Sequence, residues 1–84
     1  MNIVFSPQAW EDYQYWRSAQ APLLGRINRL IVDACRSPGD GIGRPEPLKY
    51  GIAGAWSRRI TAEHRLVYRV VGDDLQLVAI GHHY

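Results

Sequence analysis

Apolar residues recur along this chain with two different periods, and the switch between them separates a helical first part from a strand-rich second part. Ile3, Val4 and Phe5 form a short apolar run that stops at Ser6-Pro7. A serine cap followed by proline at the first helical position predicts a strand followed by a helix over about residues 7–18. Trp10, Tyr13 and Trp16 fall at helical spacing, with Glu11 and Asp12 in the early turns, where the helix dipole favours negative charge. Such an aromatic stripe reads as core rather than as a base-stacking surface. Ala21-Pro22 opens a second helix, in which Leu24, Ile27, Leu30, Ile31 and Ala34 trace an apolar face. Arg26, Arg29 and Asp33 lie opposite it, as a solvated outer face, and the helix is expected to end near Ser37, before Pro38.

From Pro38 to Pro47 the chain is dense in glycine and proline and reads as a loop. It lacks the Gly-Lys-Ser/Thr ending of a nucleotide-binding loop and follows a helix, which argues against nucleoside triphosphate binding. Leu48 to Tyr50 reads as a short extended segment and residues 51–54 as a connection. Then the period becomes two. Segments 55–61, 64–71 and 75–80 are rich in Val, Ile, Leu, Tyr and Trp and are separated by Ala62-Glu63 and Gly72-Asp73-Asp74, which predicts an antiparallel meander. Leu66, Tyr68 and Val70 share one face of their strand, to meet the helices, and Arg65, Val67 and Arg69 share the other, to present arginines. The expected fold is α+β: an N-terminal strand and two helices packed on a twisted, mainly antiparallel sheet, with residues 1–84 as a single domain. The Ala62-Glu63 turn does not set the register, so Arg58 and Arg59 are both open as neighbours of Arg65.

Eighty-four residues with nine aromatics suffice for one compact core but not for a large internal pocket, so a substrate is expected on the surface. The single cysteine, Cys35, allows no internal disulfide and reads as a small buried residue. With no basic-then-apolar leader and no apolar run approaching the ~20 residues of a membrane span, a cytoplasmic protein that does not enter the membrane is expected.

Charge changes this picture more than composition does. Residues 1–43 balance Arg17, Arg26, Arg29 and Arg36 against Glu11, Asp12, Asp33 and Asp40, a net of zero. Residues 44–69 carry Arg44, Lys49, Arg58, Arg59, Arg65 and Arg69 against Glu46 and Glu63, a net of +4. Nine of the ten basic residues are arginine, whose planar fork matches phosphate oxygens, so RNA, DNA or an acidic protein segment is the expected partner.

Three groups with catalytic potential accompany this basic stretch. Glu46 is flanked by Pro45 and Pro47, which hold the backbone around it, while His82 and His83 end the chain with Tyr84, just after the last strand. The paired histidines raise the question of a metal, but no second cysteine or His-Glu-x-x-His spacing supports one, and neither metal nor cofactor is expected. A glutamate, a histidine and an arginine are the parts of a metal-free ribonuclease: a base for the 2′-hydroxyl, an acid for the departing 5′-oxygen, and a donor for the charge on phosphorus. Histidine suits the acid role because its unperturbed pKa is ~6.5. From residue types and spacing this is one reading among several. A non-catalytic RNA- or ribosome-binding module would show the same basic strands, as would a structural partner whose arginines bind an acidic segment.

The stretches Gly43-Arg-Pro-Glu-Pro-Leu-Lys49, Gly54-Ala-Trp-Ser-Arg-Arg-Ile60, Glu63-His-Arg-Leu-Val-Tyr68 and His83-Tyr84 closely resemble the YoeB toxins, within the RelE superfamily of bacterial type II toxin–antitoxin systems. The N-terminal Ile-Val-Phe-Ser and the Trp-Glu-Asp-Tyr-x-Tyr-Trp helix extend the resemblance over nearly the whole chain. It implies a RelE-like microbial ribonuclease fold and ribosome-dependent cleavage of mRNA in the A site. It also implies inhibition by a cognate YefM-like antitoxin and a toxin homodimer. By position, Glu46 matches the general base, His83 the general acid, Arg65 the transition-state stabiliser and Tyr84 the terminal aromatic that places the substrate. Lys49, Arg58, Arg59 and Arg44 match basic positions that would hold RNA backbone or ribosomal RNA. Arg44 stands where many relatives have lysine, and His82 where an aromatic is common.

Overall fold

A computed structural model describes residues 1–81. Strand β1 (Asn2–Phe5) leads into helix α1 (Pro7–Ala19), followed by α2 (Ala21–Arg36). Strands β2 (Glu46–Pro47), β3 (Trp56–Arg59), β4 (Arg65–Val71) and β5 (Asp74–Gly81) complete one five-stranded sheet in the order β1-β5-β4-β3-β2. Among the described residues only the β1–β5 pair is parallel. The α+β expectation and the meander hold, and both helices lie within a residue or so of their predicted bounds.

Local chemistry accounts for those bounds. The Ser6 hydroxyl accepts from Ala9 N at 2.9 Å, capping α1 ahead of Pro7, and donates to Val78 O, tying the cap to β5. Gln20 closes α1 by donating its N–H to Trp16 O and also serves as the cap residue of α2. Ile27, Leu30, Ile31 and Ala34 bury against the sheet as their spacing predicts. Their partners are Leu66, Tyr68, Leu75, Leu77 and Ile80, the helix-facing residues of β4 and β5, together with Trp16 from α1. Asp12 and Trp16 also grip the end of β5: Asp12 Oδ2 accepts from Ile80 N, and Trp16 Nε1 donates to Ile80 O.

Four expectations change. Trp10 is 53% exposed rather than core, because β1 beside it is the edge of the sheet. Its ring stacks on Tyr13 and meets Phe5 edge-on. Cys35 is half-buried, and desolvation pushes its thiol pKa up. The short strand after the loop is Glu46–Pro47, not Leu48–Tyr50. The sheet face away from the helices is not simply an arginine surface: Val67 is buried there with Ala55 and Ala79 beneath Leu48, Ile52 and Val78, a second small core under the 48–55 connection. No helix among the described residues is long and apolar enough to cross a membrane.

Candidate active site

The register of β3 against β4 builds the site. Arg59 pairs with Arg65, and Arg58 with Leu66. Because successive side chains leave a strand on opposite faces, this one fact sends the neighbouring arginines to different sides of the sheet. On the face away from the helices, β2 pairs Glu46 with Ser57, two residues from Arg59, so Glu46 joins the same side. Arg44, Pro45, Glu46, Arg59 and Arg65 line a cleft of about 260 Å³. Opposed charges meet in it without forming an ion pair among the described residues.

Two of the cleft arginines are tied to the loops that flank them. Arg65 donates Nη1 to the carbonyls of Thr61, Ala62 and His64 at 2.9–3.2 Å. Its Nε and Nη2 have no partner among the described residues, so the guanidinium is anchored through one nitrogen. The Arg59 N–H donates to Gly43 O at 2.6 Å, which fastens the loop to β3 directly before Arg44. Arg44 itself sits at φ 53°, in the left-handed region that non-glycine residues seldom adopt. Behind the cleft, Arg26 donates to the carbonyls of Arg59 and Ile60, so it is not the solvated outer-face residue that helical spacing predicts. Lys49 is exposed on the 48–55 connection and does not line the cleft. Gly81, the last described residue, pairs with Arg65. His82, His83 and Tyr84 lie outside the described residues.

Arg58 is a correction. Expected to hold RNA, it is 0% exposed and faces the helices. All five donors of its guanidinium are used. Nε donates to Tyr68 OH (2.8 Å); Nη1 to Asp33 Oδ2 (2.6 Å) and Ile42 O (3.0 Å); and Nη2 to Ser37 O (2.6 Å) and Asp40 O (2.7 Å). Tyr68 OH in turn donates to Pro38 O, and Asp33 accepts from Ile42 N and from Arg36. Asp33 is therefore buried rather than on the outer face of α2. The hydrogen bond from Arg58 holds its carboxyl below the ordinary value. Desolvation alone would pull the Arg58 pKa down, but its bonds to Tyr68 and Asp33 outweigh that and raise it. Burial pushes the Tyr68 hydroxyl up. Sequence reasoning missed Asp33 and Tyr68 as partners. The available signal was parity: Trp56, Arg58 and Ile60 alternate with Ser57 and Arg59, so Arg58 shares its side with two large apolar residues.

A more voluminous groove, about 390 Å³, runs along α2 beside Arg29, Val32, Arg36 and Ile42. Its lining offers no unpaired carboxylate, since Asp33 is committed to Arg36 and Arg58. Among the described residues no three His, Cys, Asp or Glu side chains gather where they would hold a metal ion. The 260 Å³ cleft gathers one carboxylate, Glu46, with three arginines, Arg44, Arg59 and Arg65.

Comparison with known proteins bears on the family and the fold. A family model described as the YoeB-like toxin of bacterial type II toxin–antitoxin systems matches residues 5–84. The toxin YoeB of Escherichia coli K12 is 48% identical over 84 residues, covering all of both chains. The structure of a YoeB/ParE toxin from Agrobacterium tumefaciens superposes with a TM-score of 0.94 at 48% identity over the full length of both chains. YoeB from Staphylococcus aureus, 42% identical over 100% of this chain and 98% of its own, is known as a dimer (TM-score 0.91) and in a heterotetrameric YoeB–YefM complex (TM-score 0.89). Structures of YafQ from E. coli, at 17–19% identity and TM-scores of 0.70–0.72, share the fold.

Proposed function

Because the chain belongs to the YoeB-like toxins of bacterial type II toxin–antitoxin systems, we propose that it is a metal-independent endoribonuclease that cleaves mRNA in the ribosomal A site and so inhibits translation. The observation that carries this reading is the cleft in which Glu46 faces Arg59 and Arg65 beside Arg44. In the proposed reaction Glu46 takes the proton from a 2′-hydroxyl, whose oxygen attacks the adjacent phosphorus. Arg65, whose Nε and Nη2 have no partner among the described residues, donates to the non-bridging oxygens as negative charge builds. His83 protonates the departing 5′-oxygen, leaving a 2′,3′-cyclic phosphate and a 5′-hydroxyl. Tyr84 places the base, and Arg59, Arg44 and Lys49 hold the backbone of mRNA or ribosomal RNA. Both proton transfers and the charge stabilisation are supplied by side chains, so no metal is required by the chemistry.

A ribosomal site of action would put the protein in the cytoplasm. The partners follow from the relatives: YoeB of S. aureus is seen with YefM and as a dimer. By analogy this chain is a homodimer inhibited by a YefM-like antitoxin. Primer extension on a defined mRNA, with and without ribosomes, tests the function. New 5′ ends within the A-site codon are expected only with ribosomes. Arrested translation with intact mRNA would instead make the protein a non-catalytic ribosome-binding module. Arg65→Ala is expected to lower the cleavage rate by on the order of 10²–10³ with the fold intact, and His83→Gln to abolish detectable cutting. Full cleavage by either variant removes that residue from the mechanism.

A further inference from the structure

We propose that Arg58 is a positioning residue for cleavage: from the helix-facing side of β3, its guanidinium sets the path of the 37–43 loop and thereby places Glu46 and Arg44 on the opposite face. This rests on reading the cleft as a nuclease site. The loop between α2 and β2 has little regular structure of its own, and four of its carbonyls are satisfied from this centre. Ser37, Asp40 and Ile42 accept from Arg58, and Pro38 accepts from Tyr68. The Ile42 N–H goes to Asp33, which Arg58 also holds. The next residue, Gly43, accepts from the Arg59 N–H, and Glu46 is already in the β2–β3 ladder opposite Ser57. Only Arg44 and Pro45 lie between these two anchors. Arg44 is in the left-handed region, and the ring of Pro45 fixes its φ, so the connection has little slack. A shift of the loop at Ile42 is therefore passed on to Arg44 and Glu46.

Space-filling alone does not account for an arginine here. A pair of apolar side chains would fill the volume without the cost of desolvating two charges. What the guanidinium adds is a rigid planar fork that holds three carbonyls and a carboxylate in one fixed arrangement. The loop is shaped to admit it. Gly41, at φ +114°, leaves room where a Cβ would come within 2.0 Å of Asp33 Oδ2, and at Gly43, φ +80°, a Cβ would lie 3.2 Å from that of Arg58.

The test compares the wild-type chain with Tyr68→Phe, which removes the acceptor of Arg58 Nε, and with Gly41→Ala, which disturbs the same centre from the loop side. Ile27→Val, a core change in α2, serves as the control for stability alone. Single-turnover cleavage on mRNA-programmed ribosomes is measured well below each unfolding midpoint, alongside amide hydrogen exchange at Ile42 and Arg59. Tyr68→Phe is expected to lower the cleavage rate constant on the order of tenfold without weakening binding to the programmed ribosome, with faster exchange at both amides. Gly41→Ala is expected to show the same pattern more strongly, whereas Ile27→Val lowers the midpoint and leaves the rate unchanged. Variants that unfold earlier yet cleave at the wild-type rate overturn the proposal. If the wild-type chain cuts no mRNA, the nuclease reading fails, and unchanged exchange in both variants would then show that Arg58 does not set the loop either.

Discussion

Arg58 and Arg59 are adjacent in β3 and carry the same charge, yet they occupy opposite physical regimes. Arg58 is fully buried, with every donor committed, and its charge is matched by Asp33. Arg59 is exposed in a cleft, and its side chain is left to meet whatever enters. A buried ion of this kind is held by geometry, because removing one partner strands the other in a low-dielectric interior. An exposed cation costs little to keep and gains most from an incoming phosphate. Arg65 stands between these regimes, anchored through Nη1 by the 61–64 turn and with Nε and Nη2 unpartnered among the described residues, which suits a donor that must be in place before charge develops.

The contrast predicts that stability and activity respond differently to the two arginines. Arg58→Ala should have the largest effect, a loss of about 3–5 kcal/mol in unfolding free energy, typical of breaking a buried pair. Urea denaturation measures it, and a loss below about 1 kcal/mol would mean that the centre is dispensable.

Acid should have the next largest effect. The Asp33 carboxyl is held below its ordinary value of 3.8 by Arg58. A group whose pKa is depressed by folding adds stability above the unfolded pKa and loses it as pH falls through the folded one. Stability should therefore decline below about pH 4 as Asp33 takes up a proton. In Asp33→Asn that part of the acid dependence should disappear, which denaturation midpoints across the acid range would record.

Arg59→Ala should change stability least, within about 0.5 kcal/mol. It should weaken substrate engagement severalfold, seen as a raised KM with kcat largely kept. A large fall in midpoint for Arg59→Ala, or none for Arg58→Ala, would erase the distinction between the two.

Much of the fold was legible in the chain because its signals are local. Ser6-Pro7 and the 3.6-residue spacing of Ile27, Leu30, Ile31 and Ala34 report on backbone within one or two turns, and both helices appear where these patterns place them. Alternation in 65–71 likewise located β4 and separated Leu66 and Tyr68 from Arg65 and Val67. Glu46 and Arg65 were identifiable as chemistry-bearing groups by their residue types, their settings and the family resemblance, and they do line one cleft. Alternation put Arg58 on the side of Trp56 and Ile60, but it did not give the residue standing opposite Arg65, because the Ala62-Glu63 turn leaves the register open and a one-residue slip exchanges the two faces. That choice came with packing. Asp33, twenty-five positions before Arg58, meets it only once α2 lies on the sheet, and Val67 becomes core only once the 48–55 connection folds over it. Secondary structure follows from neighbours along the backbone. The partner of a charge is set by contacts between residues far apart in the chain, and these exist only after the chain has closed around them.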